Sequence, residues 1–256
     1  MPEFTLPDQA RLYYDDIGNG SPLLLLHGGL GRYVDWFHSQ IETFSSHRLI
    51  IPDRRGYGRS TPLDHLPVDY HVRNADDMLM LLDSLSVADP ILWGHSDGAI
   101  IAAWMAIKYP RRVQALILEG THLWRRKTDS LETFEFGVSE PEGFLPERAI
   151  QRLQEGHGKN WNQVVANWGN VWLRLNEMDG NLYDGRLPEI QTPTLVMHGI
   201  HDPHSSVTEI KTLTAQIPDA QLYLFQEGGH SPHSERANRD ECNQLVREFI
   251  CQHNTR

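Results

Sequence analysis

A chain of 256 residues, 39% hydrophobic and 22% charged, holds enough apolar material for a full core and lacks the composition of a disordered segment; its length favours one α/β domain with an insertion over two folds. The formal charge of −11, from 34 acidic against 23 basic side chains, argues against nucleic acid as a partner, and the densest basic cluster, Arg125-Arg126-Lys127, sits beside Asp129 and Glu132 as a solvated face does. No apolar run approaches a membrane span, no basic-then-apolar leader opens the chain, and the two cysteines, Cys242 and Cys251, fall on opposite faces of a helical segment, so a cytoplasmic protein without membrane or disulfide is expected.

In chain order, strand-length apolar runs are predicted at residues 11–14, 23–27, 49–52, 91–93, 115–118, 194–197 and 222–225. Several are nearly continuous in Leu, Ile and Val, as strands buried on both faces require. Apolar residues recur at helical spacing over residues 73–85, 99–109, 207–217 and 236–249. This alternation predicts an α/β fold with a mostly parallel central sheet and helices on both faces. Residues 122–188 break the rhythm, with no strand-like run and many Trp, Glu, Asn and Gly. A stretch of that length predicts a helical cap over the carboxyl edge of the sheet, where open α/β folds place their sites, and leaves 1–121 and 189–256 as the core.

Chemistry concentrates at the ends of these strands. Gly94-His95-Ser96-Asp97-Gly98 follows the run at 91–93 and opens a helix. In that context the G-x-S-x-G pattern describes a sharp strand-to-helix turn that exposes the Ser96 hydroxyl, with glycine on both sides to let the elements approach. A hydroxyl is a weak nucleophile near neutral pH and needs a base. His230, in Gly228-Gly229-His230-Ser231-Pro232 after the last strand, is the candidate, preferred over His233 because it lies nearer the strand edge. Asp202, in Gly199-Ile200-His201-Asp202-Pro203 after the run at 194–197, is the carboxylate that would fix the imidazole tautomer. The backbone amides of Gly29, in His27-Gly28-Gly29-Leu30-Gly31, and of Asp97 are the expected oxyanion donors.

Taken together, His27-Gly28-Gly29, Asp53-Arg54-Arg55-Gly56-Tyr57-Gly58-Arg59-Ser60, the Ser96 turn, Gly199-Ile200-His201-Asp202 and Gly229-His230 resemble the α/β-hydrolase superfamily, in its order and from about residue 22 to residue 250. The resemblance implies an eight-stranded core, a cap after the sixth strand and a Ser96, Asp202, His230 triad in the order of that superfamily. Serine at position 96 disfavours its haloalkane dehalogenase and epoxide hydrolase branches, which place aspartate there. Ser96-Asp97-Gly98 with a Trp-rich cap is similar to the valacyclovir-hydrolase-like small-molecule esterases, which points to α-amino-acid esters.

Asp97 therefore has two readings, a helix-capping charge or a partner for a substrate ammonium. Leu30, Trp36, Trp124, Trp168 and Trp172 are the other candidate substrate contacts. Trp161, Trp168 and Trp172 share a helix face, which serves cap packing or a substrate wall. The spacing of His198, His201 and His204 invites a metal, but the segment leaves a strand through glycine and contains Pro203, so no metal and no cofactor are expected. Residues 53–60 lack the phosphate-loop spacing and read as a brace at the sheet edge. The expected activity is ester hydrolysis on a small molecule by a monomer or homodimer. Carbon-carbon bond hydrolysis, perhydrolysis and a triad-retaining ligand receptor are the alternatives.

Overall fold

In a computed structural model, which describes residues 2–31 and 38–253, all seven apolar runs become strands of one sheet. The strands are β1 (Glu3–Thr5), β2 (Arg11–Ile17), β3 (Pro22–Leu26), β4 (Arg48–Pro52), β5 (Ile91–His95), β6 (Ala115–Glu119), β7 (Thr194–Gly199) and β8 (Ala220–Phe225). They lie in the order β1-β2-β4-β3-β5-β6-β7-β8. The pairings of β1 with β2 and of β2 with β4 are antiparallel and the others parallel. The eighth strand, β1, carries no sequence signal, since three residues pairing only with β2 at the edge leave no alternation to read.

Alternation along the strands divides the core in two. Leu24, Leu26, Leu92, Leu116 and Leu118 face one side, against α2 (Tyr70–Ser84) and α3 (Asp97–Lys108). Leu23, Leu25, Trp93, Ile117 and Met197 face the other, against Phe44 and the Cys242, Val246 and Phe249 face of the C-terminal helix (Arg239–His253). The first helix of the described residues, α1 (His38–Thr43), lies between β3 and β4. Helix α3 is buried along nearly its whole length because its sequence is apolar all round.

Between β6 and β7 the chain forms α4 (Leu131–Ser139), α5 (Pro141–Phe144), α6 (Glu147–His157) and α7 (Trp161–Asn176), and β7 is followed by α8 (Val207–Thr214). The neck of this insertion is tied by a bridge between Trp124 and Asn181 and by the Leu182 amide donating to the Leu123 carbonyl at 2.8 Å. Helices α4 and α7 cross closely, since a Cβ on Gly169 would come within 2.6 Å of the Phe134 carbonyl oxygen.

The C-terminal helix, α9 (Arg239–His253), starts three residues later than its apolar spacing predicts. The preceding residues hold the loop after β8 instead. Glu235 accepts from the amides of Gly229 and Ser231, both at 3.0 Å, and Asn238 donates to the Glu227 carbonyl at 3.2 Å. Among the described residues no helix is long and apolar enough to cross a membrane.

Candidate active site

At the end of β5 the chain turns sharply and holds Ser96 at φ 54°, ψ −122°. A non-glycine residue there is strained by about 1 to 3 kcal/mol. A Cβ on Gly94 would lie 2.2 Å from the Gly98 carbonyl oxygen, and one on Gly98 would lie 2.1 Å from that of Leu26, so strand, turn and helix meet this closely only through glycine. The Ser96 amide donates to the Glu119 carbonyl of β6 at 2.8 Å and pins the turn. Ser96 itself stays 8% exposed, on the wall of a cavity of about 410 Å³.

Two more strand ends converge there. After β7, the buried Asp202 carboxylate accepts from the His204 amide at Oδ1 and from His230 Nδ1 at Oδ2, both at 2.8 Å. Burial opposes its ionisation, but the hydrogen bond and charge of His230 outweigh that and hold its pKa at about 2. The two loops come together at glycine, since a Cβ on Gly199 would lie 2.2 Å from the Gly228 carbonyl carbon. His230 lines the cavity with Ser96. With Asp202 on Nδ1, its Nε2 is the nitrogen left to serve as acceptor.

The loop after β3 supplies the facing wall with Gly28, Gly29 and Leu30. Its geometry is set from behind. His27 Nε2 accepts from the Arg54 amide at 3.2 Å, so its proton is on Nδ1, which donates to the Gly28 carbonyl at 2.8 Å. Arg54 Nη2 donates to the same carbonyl at 2.8 Å. The amide of Asp97 opens α3, where the helix dipole is positive.

Residues 21–154 match the family model described as the alpha/beta hydrolase fold. This chain belongs to that family. It is 31% identical to Serine hydrolase BPHL of Mus musculus over 94% of this chain and 83% of the relative. It is 27% identical to a 2-hydroxy-6-oxo-6-phenylhexa-2,4-dienoate hydrolase of Burkholderia cepacia, over 94% of this chain and 91% of the relative. Among solved structures, a thermophilic esterase from Thermogutta terrifontis shares the fold with a TM-score of 0.79 and 25% identity, over 99% of both chains.

In this α/β-hydrolase the cavity has two kinds of wall. The helices of the insertion contribute mostly apolar side chains, chiefly Phe134, Val165, Trp168 and Trp172, while its neck adds His122 and Lys127 and the strand-end loops add His95, Ser96, His204 and His230. Of the substrate contacts expected from sequence, Leu30, Trp168 and Trp172 reach the cavity. Trp124 does not; its backbone forms the neck of the insertion, and it is 43% exposed. The Asp97 carboxylate lies beside Gly29 and is not among the side chains that line the cavity, with Oδ1 taking a hydrogen bond from His71 Nε2 at 3.2 Å. Trp36 lies outside the described residues. Trp161 packs with Leu153 and Val165.

Among the cavity residues that the sequence did not place at the site are His95, His122, Lys127 and His204. The His95, His122 and His204 rings lie 4.9, 5.8 and 4.7 Å from that of His230. Burial first, and then the nearby His230, pushes His95 down to about 3 and His204 to about 4, so both are neutral near pH 7. Lys127 is a buried clamp. Its Nζ donates to Ser205 Oγ at 3.0 Å and to Glu209 Oε1 at 2.6 Å, and Glu209 also accepts from the Leu123 amide. His233, the competing base, is fully buried on Glu119 and is absent from the cavity wall. Of the three histidines with metal-like spacing, His198 donates from Nε2 to the Ser205 carbonyl of its own loop at 3.0 Å, while His201 is exposed. Among the described residues no group of three His, Cys, Asp or Glu is arranged to hold a metal.

Proposed function

We propose that this chain hydrolyses small-molecule carboxylic esters through an acyl-enzyme on Ser96. The observation that carries the reading is the strained Ser96 on the same cavity wall as His230, with Asp202 2.8 Å behind the imidazole. His230 Nε2 takes the Ser96 proton as Oγ attacks the substrate carbonyl, and the Asp202 carboxylate stabilises the imidazolium. The amides of Gly29 and Asp97 hold the oxyanion. The imidazolium then protonates the leaving alkoxide. Water, deprotonated by the same nitrogen, attacks the acyl carbonyl and releases acid and Ser96. The volume and mostly apolar wall suit a compact acyl group.

Hydrolysis of short-chain p-nitrophenyl esters by wild type and Ser96→Ala tests this reading. Turnover is expected to fall by at least ~10³-fold in the variant; retention of wild-type turnover on every ester cleaved overturns it. One observation favours a narrower version. Asp97 Oδ2 has no hydrogen-bond partner of ordinary geometry among the described residues and lies against Gly29, as a partner for an α-ammonium on the acyl group requires. Matched esters with and without an α-amino group decide between the two. The likeness to a dienoate hydrolase makes product analysis on a vinylogous diketone acid the test for carbon-carbon cleavage.

A further inference from the structure

Beneath the oxyanion loop lies a guanidinium that no step above uses. Arg54 is fully buried, and its Cζ lies 4.4 Å from the centroid of the Tyr57 ring. Nη2 holds the Gly28 carbonyl at 2.8 Å, while Nε and Nη1 have no hydrogen-bond partner among the described residues. Burying a cation with two open donors is unfavourable unless a nearby anion offsets it. The candidate anion is Asp97. A Cβ on Gly29 would come within 2.7 Å of Asp97 Oδ2, which likewise has no hydrogen-bond partner of ordinary geometry among the described residues, with Tyr70 its other polar neighbour. A buried cation and a buried anion thus sit against Gly28 and Gly29, consecutive residues of one loop.

These charges act oppositely on an oxyanion held by the Gly29 and Asp97 amides. The carboxylate repels the negative charge that develops on the substrate oxygen, and it attracts a positive charge on the acyl group. The guanidinium does the reverse. Both effects are strong where water is excluded. Resting on the serine-hydrolase reading above, we propose that Arg54 is a specificity-determining positioning residue: it holds the Gly28 carbonyl and offsets the Asp97 charge at the oxyanion hole, which favours uncharged acyl groups over those bearing an α-ammonium. Consistent with this proximity, Asp97 titrates below its ordinary value; burial opposes the shift, and His71 and then Arg54 outweigh it.

The test is a ratio. The p-nitrophenyl esters of alanine and of propionic acid differ by one α-ammonium, which is protonated at pH 6, below the ~7.7 of an α-amino group. The kcat/KM of the alanyl ester over that of the propionyl ester is measured on one preparation, so an inactive fraction cancels. Arg54→Gln is expected to raise this ratio by about tenfold or more, chiefly through a lower kcat on the propionyl ester with little change in KM. Arg54→Lys, which keeps the charge, is expected to stay within about threefold of wild type. If Arg54→Gln does not fold, Arg54→Met, which fills similar space without the charge, takes its place and is expected to raise the ratio likewise.

An unchanged ratio in Arg54→Gln, or in Arg54→Met where that variant stands in for it, overturns the role of Arg54. A merely structural arginine would lower both rates together and leave the ratio alone. Ser96→Ala separates the two levels. Cleavage that persists there overturns the serine-hydrolase reading and this inference with it, whereas serine-dependent cleavage with a constant ratio overturns only the inference.

Discussion

The strand-end loops and the helical insertion meet at one cavity but hold their side chains by different means. On the loop side, Ser96 sits at a strained φ of 54° and the Asp202 carboxylate accepts two hydrogen bonds of 2.8 Å. On the insertion side, Phe134 is stacked on Trp172 at 5.6 Å and lies edge-on to Trp168 at 5.1 Å. Directional bonds fix an atom to a few tenths of an ångström, whereas ring packing fixes mainly a shape. Under the proposed mechanism, the loop side sets a rate and the insertion side sets a fit. Substitutions on the two sides are expected to separate into kcat and KM effects.

Asp202→Asn is expected to show the largest effect. Asparagine has a single acceptor oxygen. If that oxygen keeps the His204 amide, the side-chain NH₂ faces His230 Nδ1, which must then accept, and the proton moves to Nε2. The imidazole can no longer take the Ser96 proton. A fall in kcat of roughly 10³ to 10⁴ is expected, with KM within a few-fold, as loss of the tautomer-fixing acid implies. A drop confined to KM in steady-state kinetics would break the division between the two sides.

How much of this was legible in the sequence depends on how local the cause is. Parallel strands buried on both faces leave runs such as Leu23-Leu24-Leu25-Leu26, so the central sheet could be read directly. Ser96, Asp202 and His230 were legible as candidates because each follows a strand and stands beside glycines that admit close approach. His122 and Lys127 were not, because only the tie between the insertion neck and α8 brings them to the cavity. Trp124 and Trp168 look equivalent as letters. The first belongs to the neck and points to solvent, while the second lies on α7 against Gly29, a distinction made by tertiary contacts alone.

A second carboxylate behind the loops gives an intermediate effect, on stability. Glu119 is fully buried and accepts from Trp93 Nε1, the His233 amide and His233 Nδ1, each at 2.9 Å. Burial opposes its ionisation, yet the charge and hydrogen bonds of His233 hold its pKa at about 2. Because this pKa is lower folded than unfolded, the stabilisation is present above the unfolded value of 4.5 and is lost as the pH falls from there toward 2. Glu119→Gln turns an NH₂ toward one of three converging donors and is expected to destabilise by about 2 to 3 kcal/mol near pH 7. Urea titrations at pH 7 and pH 4 are expected to show that deficit narrowing in acid. A deficit that grows on acidification would show that Glu119 is not the ionised partner.

The smallest effects test the insertion side, where the two tryptophans form an internal control. Trp168 Nε1 is so near the loop after β3 that a Cβ on Gly29 would come within 2.1 Å of it. Trp168→Leu keeps an apolar side chain on α7 but removes the ring from the cavity wall. KM for short uncharged esters is expected to rise by about three- to tenfold, from the loss of part of an apolar wall, with kcat within about threefold. Trp124→Ala removes a ring that is 43% exposed while leaving its backbone bridge to Asn181 in place. Its stability change is expected within about 0.5 kcal/mol, and its kinetic constants should match wild type. If Trp124→Ala instead raises KM as much as Trp168→Leu does, the apolar wall extends to the neck of the insertion and the substrate occupies more than the cavity floored by Ser96. If neither substitution moves KM, shape at this wall does not select the acyl group.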